Sequence, residues 1–148
     1  MRIVAQRVAR ATVSVDGERV ATIGLGFLLL VGIGADDASD EVDRLAEKVV
    51  HLRVFADAGG KMNLAIADVG GEALVVSQFT LYADLQRGRR PSWTNAADPS
   101  IAAERIEAFA RALETRGVGV ARGIFGAHME VELLNDGPVT LVLDADRI

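Results

Sequence analysis

Between residues 9 and 16 apolar and polar side chains alternate strictly, with Ala9, Ala11, Val13 and Val15 set against Arg10, Thr12, Ser14 and Asp16. A period of two belongs to an extended strand with one buried and one wet face. Asp16-Gly17 follows, a pair that tolerates positive φ and closes a hairpin, so residues 19–23 return as the partner strand. Residues 27–33 are apolar without alternation, as expected of a strand covered on both faces. A chain that begins this way commits to a sheet.

Two helical stretches accompany the sheet. After Ser39, Val42, Leu45, Ala46, Val49 and Val50 share one face, while Glu41, Asp43, Arg44, Glu47 and Lys48 lie elsewhere; this helix ends near His51. The second is punctuated more clearly: Asp98 caps it, Pro99 suits its first turn, Ile106, Phe109 and Leu113 form its stripe, and Gly117 closes it. Residues 72–78 read as a buried strand around Leu74, Val75 and Val76. Residues 128–134 alternate again, and residues 139–143 make a last strand. Between those two lies Asn135-Asp136-Gly137-Pro138, a strong turn signal. Strands in runs with two main helices predict an α+β protein whose curled sheet is mixed or mainly antiparallel; strand order is not legible. With 148 residues, half of them hydrophobic, one core accounts for the chain, and a single domain over residues 1–148 is expected.

Composition narrows the chemistry. The absence of cysteine removes disulfides, thiolate zinc sites and a cysteine nucleophile. No apolar run approaches the ~20 residues of a membrane helix, and residues 1–4 carry no signal-peptide pattern, so a cytoplasmic protein that does not enter membranes is expected. The net charge of −5 argues against general nucleic-acid binding, so any RNA contact must be local. Arg87, Arg89 and Arg90, ahead of Pro91, supply one candidate patch; a solvated loop fits them equally well. There is no G-x-S-x-G, Walker loop or H-E-x-x-H motif. His51 and His128 read as a helix-end and a strand-surface residue, so neither a metal nor a cofactor is expected. At Ser77-Gln78-Phe79-Thr80-Leu81 a buried strand stops abruptly in three hydrogen-bonding side chains around one aromatic ring. By themselves such residues commonly satisfy backbone groups where a sheet ends.

The string Ser77-Gln78-Phe79-Thr80-Leu81-Tyr82-Ala83 and, further on, Asn135-Asp136-Gly137-Pro138-Val139-Thr140 resemble the two signature motifs of the D-aminoacyl-tRNA deacylases, in that family's order. Leu52-Arg53-Val54-Phe55, Gly60-Lys61-Met62-Asn63, Gly88-Arg89-Arg90-Pro91-Ser92 and Phe125-Gly126-Ala127-His128-Met129 extend the resemblance over nearly the whole chain. Trp93 stands where Phe is expected, and Leu141 where an aromatic is common; both exchanges are hydrophobic and touch loop packing only.

The resemblance implies an enzyme of chirality proofreading. It would hydrolyse the ester of D-aminoacyl-tRNA, and of glycyl-tRNA, since glycine has no side chain to be rejected. It implies a homodimer with sites at the interface, where Ser77, Gln78, Phe79 and Thr80 line the pocket for the terminal adenosine and the scissile ester. Gly137 and Pro138 of the other subunit face the α-carbon, through a cis bond of a kind found in only about 5–6% of X-Pro bonds. Their carbonyls would accept from the α-amino group and leave no room for an L side chain. Arg7 stands where the family has a basic residue steadying that turn; a surface arginine on an edge strand is the alternative. Met129 would pack near the same turn or fill the core. Lys61, Arg87, Arg89 and Arg90 are the candidates for tRNA contact. For the chemical step, Thr80 as nucleophile lacks a visible base. Backbone N–H groups near Phe79 and Thr80, acting with the neighbouring ribose hydroxyl, are the preferred alternative. A non-catalytic RNA-binding module and a general esterase are the rival functions.

Overall fold

The computed structural model describes residues 1–86 and 88–147. In chain order it comprises β1 (Arg2–Val15), β2 (Glu18–Ile23), β3 (Gly26–Gly32), α1 (Glu41–Val50), β4 (Phe55–Ala56), β5 (Met62–Leu64), β6 (Glu72–Ser77), α2 (Pro99–Thr115), β7 (Gly119–Arg122) and β8 (Glu130–Asp144). The hairpin forms at Asp16-Gly17, where both residues take positive φ, 52° and 79°. The main sheet runs β2-β1-β3-β6-β7, with β8 also paired to β1; β3, β6 and β7 are mutually parallel and the pairings of β1 are antiparallel. This is the α+β class with a mixed sheet. β4 and β5 form a separate small ribbon.

The unalternating β3 is explained by two apolar layers. Phe27, Leu29 and Val31 face the helices, packing with Leu45, Val49, Phe109 and Leu113. Leu28, on the opposite face, joins Val8, Ala11, Val13, Leu74 and Val76 inside the curl of the sheet. Each fully buried aliphatic or aromatic side chain of this kind contributes about 1.5–3 kcal/mol of transfer free energy. Val8 and Ala11 are three positions apart, and strict alternation would put them on opposite faces. A bulge at Ala9 resolves this: Val8 and Arg10 stand opposite the consecutive residues Asn135 and Leu134.

Both helices end as their residues dictate. Asp98 accepts hydrogen bonds from the Ser100 N–H (2.9 Å) and hydroxyl (2.6 Å), capping α2. α1 stops at His51, whose ring nitrogen lies 2.9 Å from the Glu47 carbonyl. Arg122 on β7 pairs with Glu107 (3.0 Å) and Glu114 (2.8 Å) of α2, and its hydrogen bonds to those carboxyls hold both below the usual carboxylate range.

One expectation is corrected. The turn residues 135–138 do not reverse the chain between two strands; residues 130–144 form one strand, β8, antiparallel to β1 on both sides of the turn. Thr140 pairs with Gln6 and Asn135 with Val8, so four residues, 136–139, stand opposite Arg7 alone and loop out of the ladder. Asn135 closes the neck of the loop, its Oδ1 accepting from the Val139 N–H at 2.9 Å and its Nδ2 donating to the Val139 carbonyl at 3.2 Å. The segment has turn chemistry, but its two flanks share β1 as partner, so the chain resumes its direction.

Candidate functional site

β6 ends because the ladder ends. The Gln78 N–H makes the last rung to Val31 O (2.8 Å), and the chain then tightens into a 3-10 turn over Phe79–Tyr82, closed by Leu81 N–H to Gln78 O at 3.2 Å. This turn is clamped from below. The Tyr82 hydroxyl donates to the Asp37 carboxylate at 2.9 Å, and Asp37 also accepts from Gly34 N–H (2.5 Å) and pairs with the Met1 ammonium (2.6 Å). Arg2 lies 4.6 Å over the Tyr82 ring, donates to Leu81 O at 3.2 Å and pairs with Asp144 at 3.0 Å. Burial, reinforced by the hydrogen bond and charge of Asp37, pushes the Tyr82 phenol up, so it remains a donor. Burial alone would raise Asp37, but the hydrogen bonds from the ammonium, Gly34 and Tyr82 outweigh it and leave the carboxyl below its ordinary value.

Above the turn opens a cavity of about 580 Å³, bounded by the end of β6, the loop before α2, the first turns of α2 and the segment leading into β8. Its walls are mostly apolar, with Ser77, Gln78, Trp93 and His128 as the side chains able to hydrogen-bond. Phe79 and Trp93 meet edge to face at its mouth, 5.0 Å between centroids at 70°. Thr80 is exposed and is not part of the wall; its hydroxyl accepts from the Gln78 side-chain amide. Among the described residues, the N–H groups of Phe79 and Thr80 have no acceptor. They are free donors at the start of a turn.

Arg7 is not a surface arginine on an edge strand. It is 8% exposed and lies on β1, which has neighbours on both edges. Its Nε donates to Asp136 O at 2.9 Å and lies 3.2 Å from the Asp136 carboxylate, while its Nη1 donates to Val54 O. The guanidinium thus fills the gap left by the loop at 136–139. There the Gly137-Pro138 peptide is cis, and Asp136, Gly137 and Pro138 stand exposed. Gly137 and Pro138 do not line the cavity of their own chain. Met129 does, packed against the inner apolar layer with Val131.

Lys61, Arg89 and Arg90 are exposed and form no ion pair among the described residues; Arg87 lies outside those residues. Among the described residues no three His, Asp or Glu side chains gather at metal-ligand spacing, and no helix is long and apolar enough to cross a membrane. His128 is a surface residue, exposed as expected, but it stands two positions before β8 and also borders the cavity, the only titratable side chain among the described lining residues. Nothing in its local pattern marked it, since the cavity wall is assembled from distant segments. Trp93, Phe125 and the α2 residues Ala102 and Ile106 were missed for the same reason.

Residues 4–144 match the family model described as D-Tyr-tRNA(Tyr) deacylase. The chain is 58% identical, over all of its length and 92% of the relative's, to a D-aminoacyl-tRNA deacylase of Chloroflexus aurantiacus. It is 53% identical to one of Fervidobacterium nodosum, covering 100% and 99% of the two chains. Among solved structures it resembles a c-Myc DNA unwinding element binding protein (TM-score 0.91, 38% identity, 97% and 98% covered). It shares the fold of a probable eukaryotic D-amino acid tRNA deacylase (TM-score 0.82, 15% identity, 96% and 97% covered). A match over nearly the full length, with relatives above half identity, establishes that this chain belongs to the D-Tyr-tRNA(Tyr) deacylase family.

Proposed function

We propose that this protein hydrolyses the ester joining a D-amino acid, or glycine, to the 3′-terminal adenosine of tRNA, and so removes wrongly charged tRNA in the cytoplasm. The observation that carries this reading is the apolar cavity at the end of β6, where Ser77, Gln78 and Phe79 form the wall beside the free N–H groups of Phe79 and Thr80. The terminal nucleoside and its amino acid fill the cavity. The free N–H groups receive the oxyanion of the tetrahedral intermediate, where one positioned donor is worth about 10²–10³ in rate. The ribose hydroxyl next to the ester helps activate water, so no side-chain nucleophile is needed.

Chirality is read by the second motif. In a homodimer, the exposed Gly137 and Pro138 of one subunit face the α-carbon of the amino acid bound to the other, held by Arg7. Backbone there excludes an L side chain whatever its size, where a side-chain pocket would discriminate methylene by methylene at only ~1–3 kcal/mol each. Glycine passes the filter. Lys61, Arg87, Arg89 and Arg90 attract the phosphates, which suits a chain whose net charge is −5.

The test is single-turnover hydrolysis of D-, L- and glycyl-aminoacylated tRNA, which isolates chemistry from product release. Cleavage of the D and glycyl substrates with the L substrate intact is expected. Thr80→Ala and His128→Gln should retain turnover within about tenfold, whereas a tRNA lacking the free hydroxyl beside the ester should lose the ~10²–10⁴ typical of a general catalyst. Loss of that size in His128→Gln or Thr80→Ala, with the modified tRNA cleaved normally, would transfer the role to that side chain. Binding without cleavage would leave a nucleic-acid module of the same fold, and cleavage of small esters lacking RNA would leave a general esterase.

A further inference from the structure

We infer that Trp93 is a stacking platform for the penultimate base of the tRNA 3′ end, outside the cavity that takes the terminal nucleoside; this rests on the deacylase reading above. The indole is 40% exposed and the Phe79 ring against it 55% exposed, an unusual exposure for two large aromatic rings held in contact. Both rings also line the cavity wall while keeping this exposed surface, which places them where the cavity opens to solvent.

The segment that carries Trp93 is held on both sides. Ser92 and Asp84 exchange backbone hydrogen bonds at 2.8 and 3.0 Å, Ala96 N–H reaches Trp93 O at 3.0 Å, and Ala97 N–H reaches Ile33 O at 3.0 Å. Backbone held in this way has little conformational freedom left to lose when a base lands on the ring it carries. At about 580 Å³ the cavity is of the size that encloses one drug-sized ligand, here one nucleoside with its amino acid. The strand attached to that nucleoside must leave through the mouth, and its next base meets the indole first. Arg89 and Arg90, four and three positions earlier, are exposed and without ion pairs among the described residues, available for the phosphates of the same single strand. Base–aromatic stacking contributes ~1–3 kcal/mol, roughly 5- to 150-fold in affinity.

Because the chain has a single tryptophan, its fluorescence reports on this ring alone. At saturation uncharged full-length tRNA should quench it more than adenosine monophosphate, which fills only the cavity that the indole borders, and tRNA trimmed of its last two nucleotides should not quench it. Trp93→Ala should weaken full-length tRNA binding, measured by filter retention, roughly 5- to 150-fold, and Trp93→Phe should restore most of it. With D-aminoacyl-tRNA, Trp93→Ala should raise KM by a larger factor than it lowers kcat. Quenching by adenosine monophosphate equal to that by tRNA, no quenching by full-length tRNA, or unaltered affinity in Trp93→Ala would each overturn the inference. Failure of the wild-type protein to hydrolyse D-aminoacyl-tRNA would instead sink the deacylase reading, and the fluorescence titration would still decide whether Trp93 holds an RNA end.

Discussion

Replacing Arg7 by Met keeps most of the volume of its stem and removes every polar interaction of the guanidinium. The Val54 and Asp136 carbonyls are left without their donor, and an acceptor without a partner costs about 1–3 kcal/mol when water cannot reach it. Asp136 belongs to an exposed segment, so water replaces part of that loss. The ion pair adds little, about 0–1 kcal/mol, because the Asp136 side chain is 50% exposed. The sum is roughly 2–4 kcal/mol, which at about 3 °C per kcal/mol for a chain of this size lowers Tm by roughly 6–12 °C. Arg7→Lys should recover less than half, since one ammonium cannot reach two carbonyls with the planar fork of a guanidinium. Circular dichroism melts give the stability, and single-turnover rates on D- and L-aminoacyl-tRNA give the selectivity. If the loop at 136–139 reads chirality, both variants should lose discrimination beyond any loss of folded protein. A Tm change under about 2 °C together with an unaltered ratio of D to L rates would show that Arg7 neither supports the loop nor matters to the filter.

Gly137→Ala should act on the same loop by another route. At φ 145° its Cβ would lie 2.7 Å from Val139 Cγ2 and 2.8 Å from Val139 N, so a cost of about 1–3 kcal/mol and a displaced Pro138 are expected, read as lower Tm and weaker discrimination. Asp37→Asn tests the clamp below the 3-10 turn. Since the folded carboxyl titrates below the ordinary 3.8, its contribution should be complete above that pH and fade as pH falls through the folded value. The stability gap between wild type and Asp37→Asn should accordingly be full near neutrality and shrink in acid; a gap that widens in acid would contradict the assignment. Replacing Lys61, Arg89 and Arg90 by Ala should lower the slope of log affinity for tRNA against log salt by ~0.7–0.9 for each phosphate no longer neutralised, whereas unchanged binding would mark them as solvated charge.

Residues 11–23 settle their own structure, because alternation and Asp16-Gly17 are local facts about side-chain direction and backbone freedom; Ala9, which the alternation put on the apolar face, is exposed at the bulge. Asp98-Pro99 opens α2 for a similar reason, since a cap and a restricted φ act within one turn of chain. The unbroken apolar run of β3 announced cover on both faces, although not that one cover is the helix layer and the other the sheet's own curl. The two motif strings pointed to the family, and Ser77, Gln78 and Phe79 lie together at the cavity because they are consecutive at a strand end. His128 and Trp93 reach the same wall from segments 35 residues apart in the chain, and no period or spacing links them. The segment 135–138 shows the division most clearly. Its residues state that the backbone can bend sharply there, and they do so correctly. Whether a bend becomes a hairpin or a loop within one strand depends on which neighbour its flanks pair with. Here both flanks find β1, an arrangement in which the buried guanidinium of Arg7 supplies donors that the interrupted ladder does not. Pairing partners are chosen by burial and hydrogen bonding across the whole sheet, between residues more than a hundred positions apart, so that choice lies in the tertiary structure.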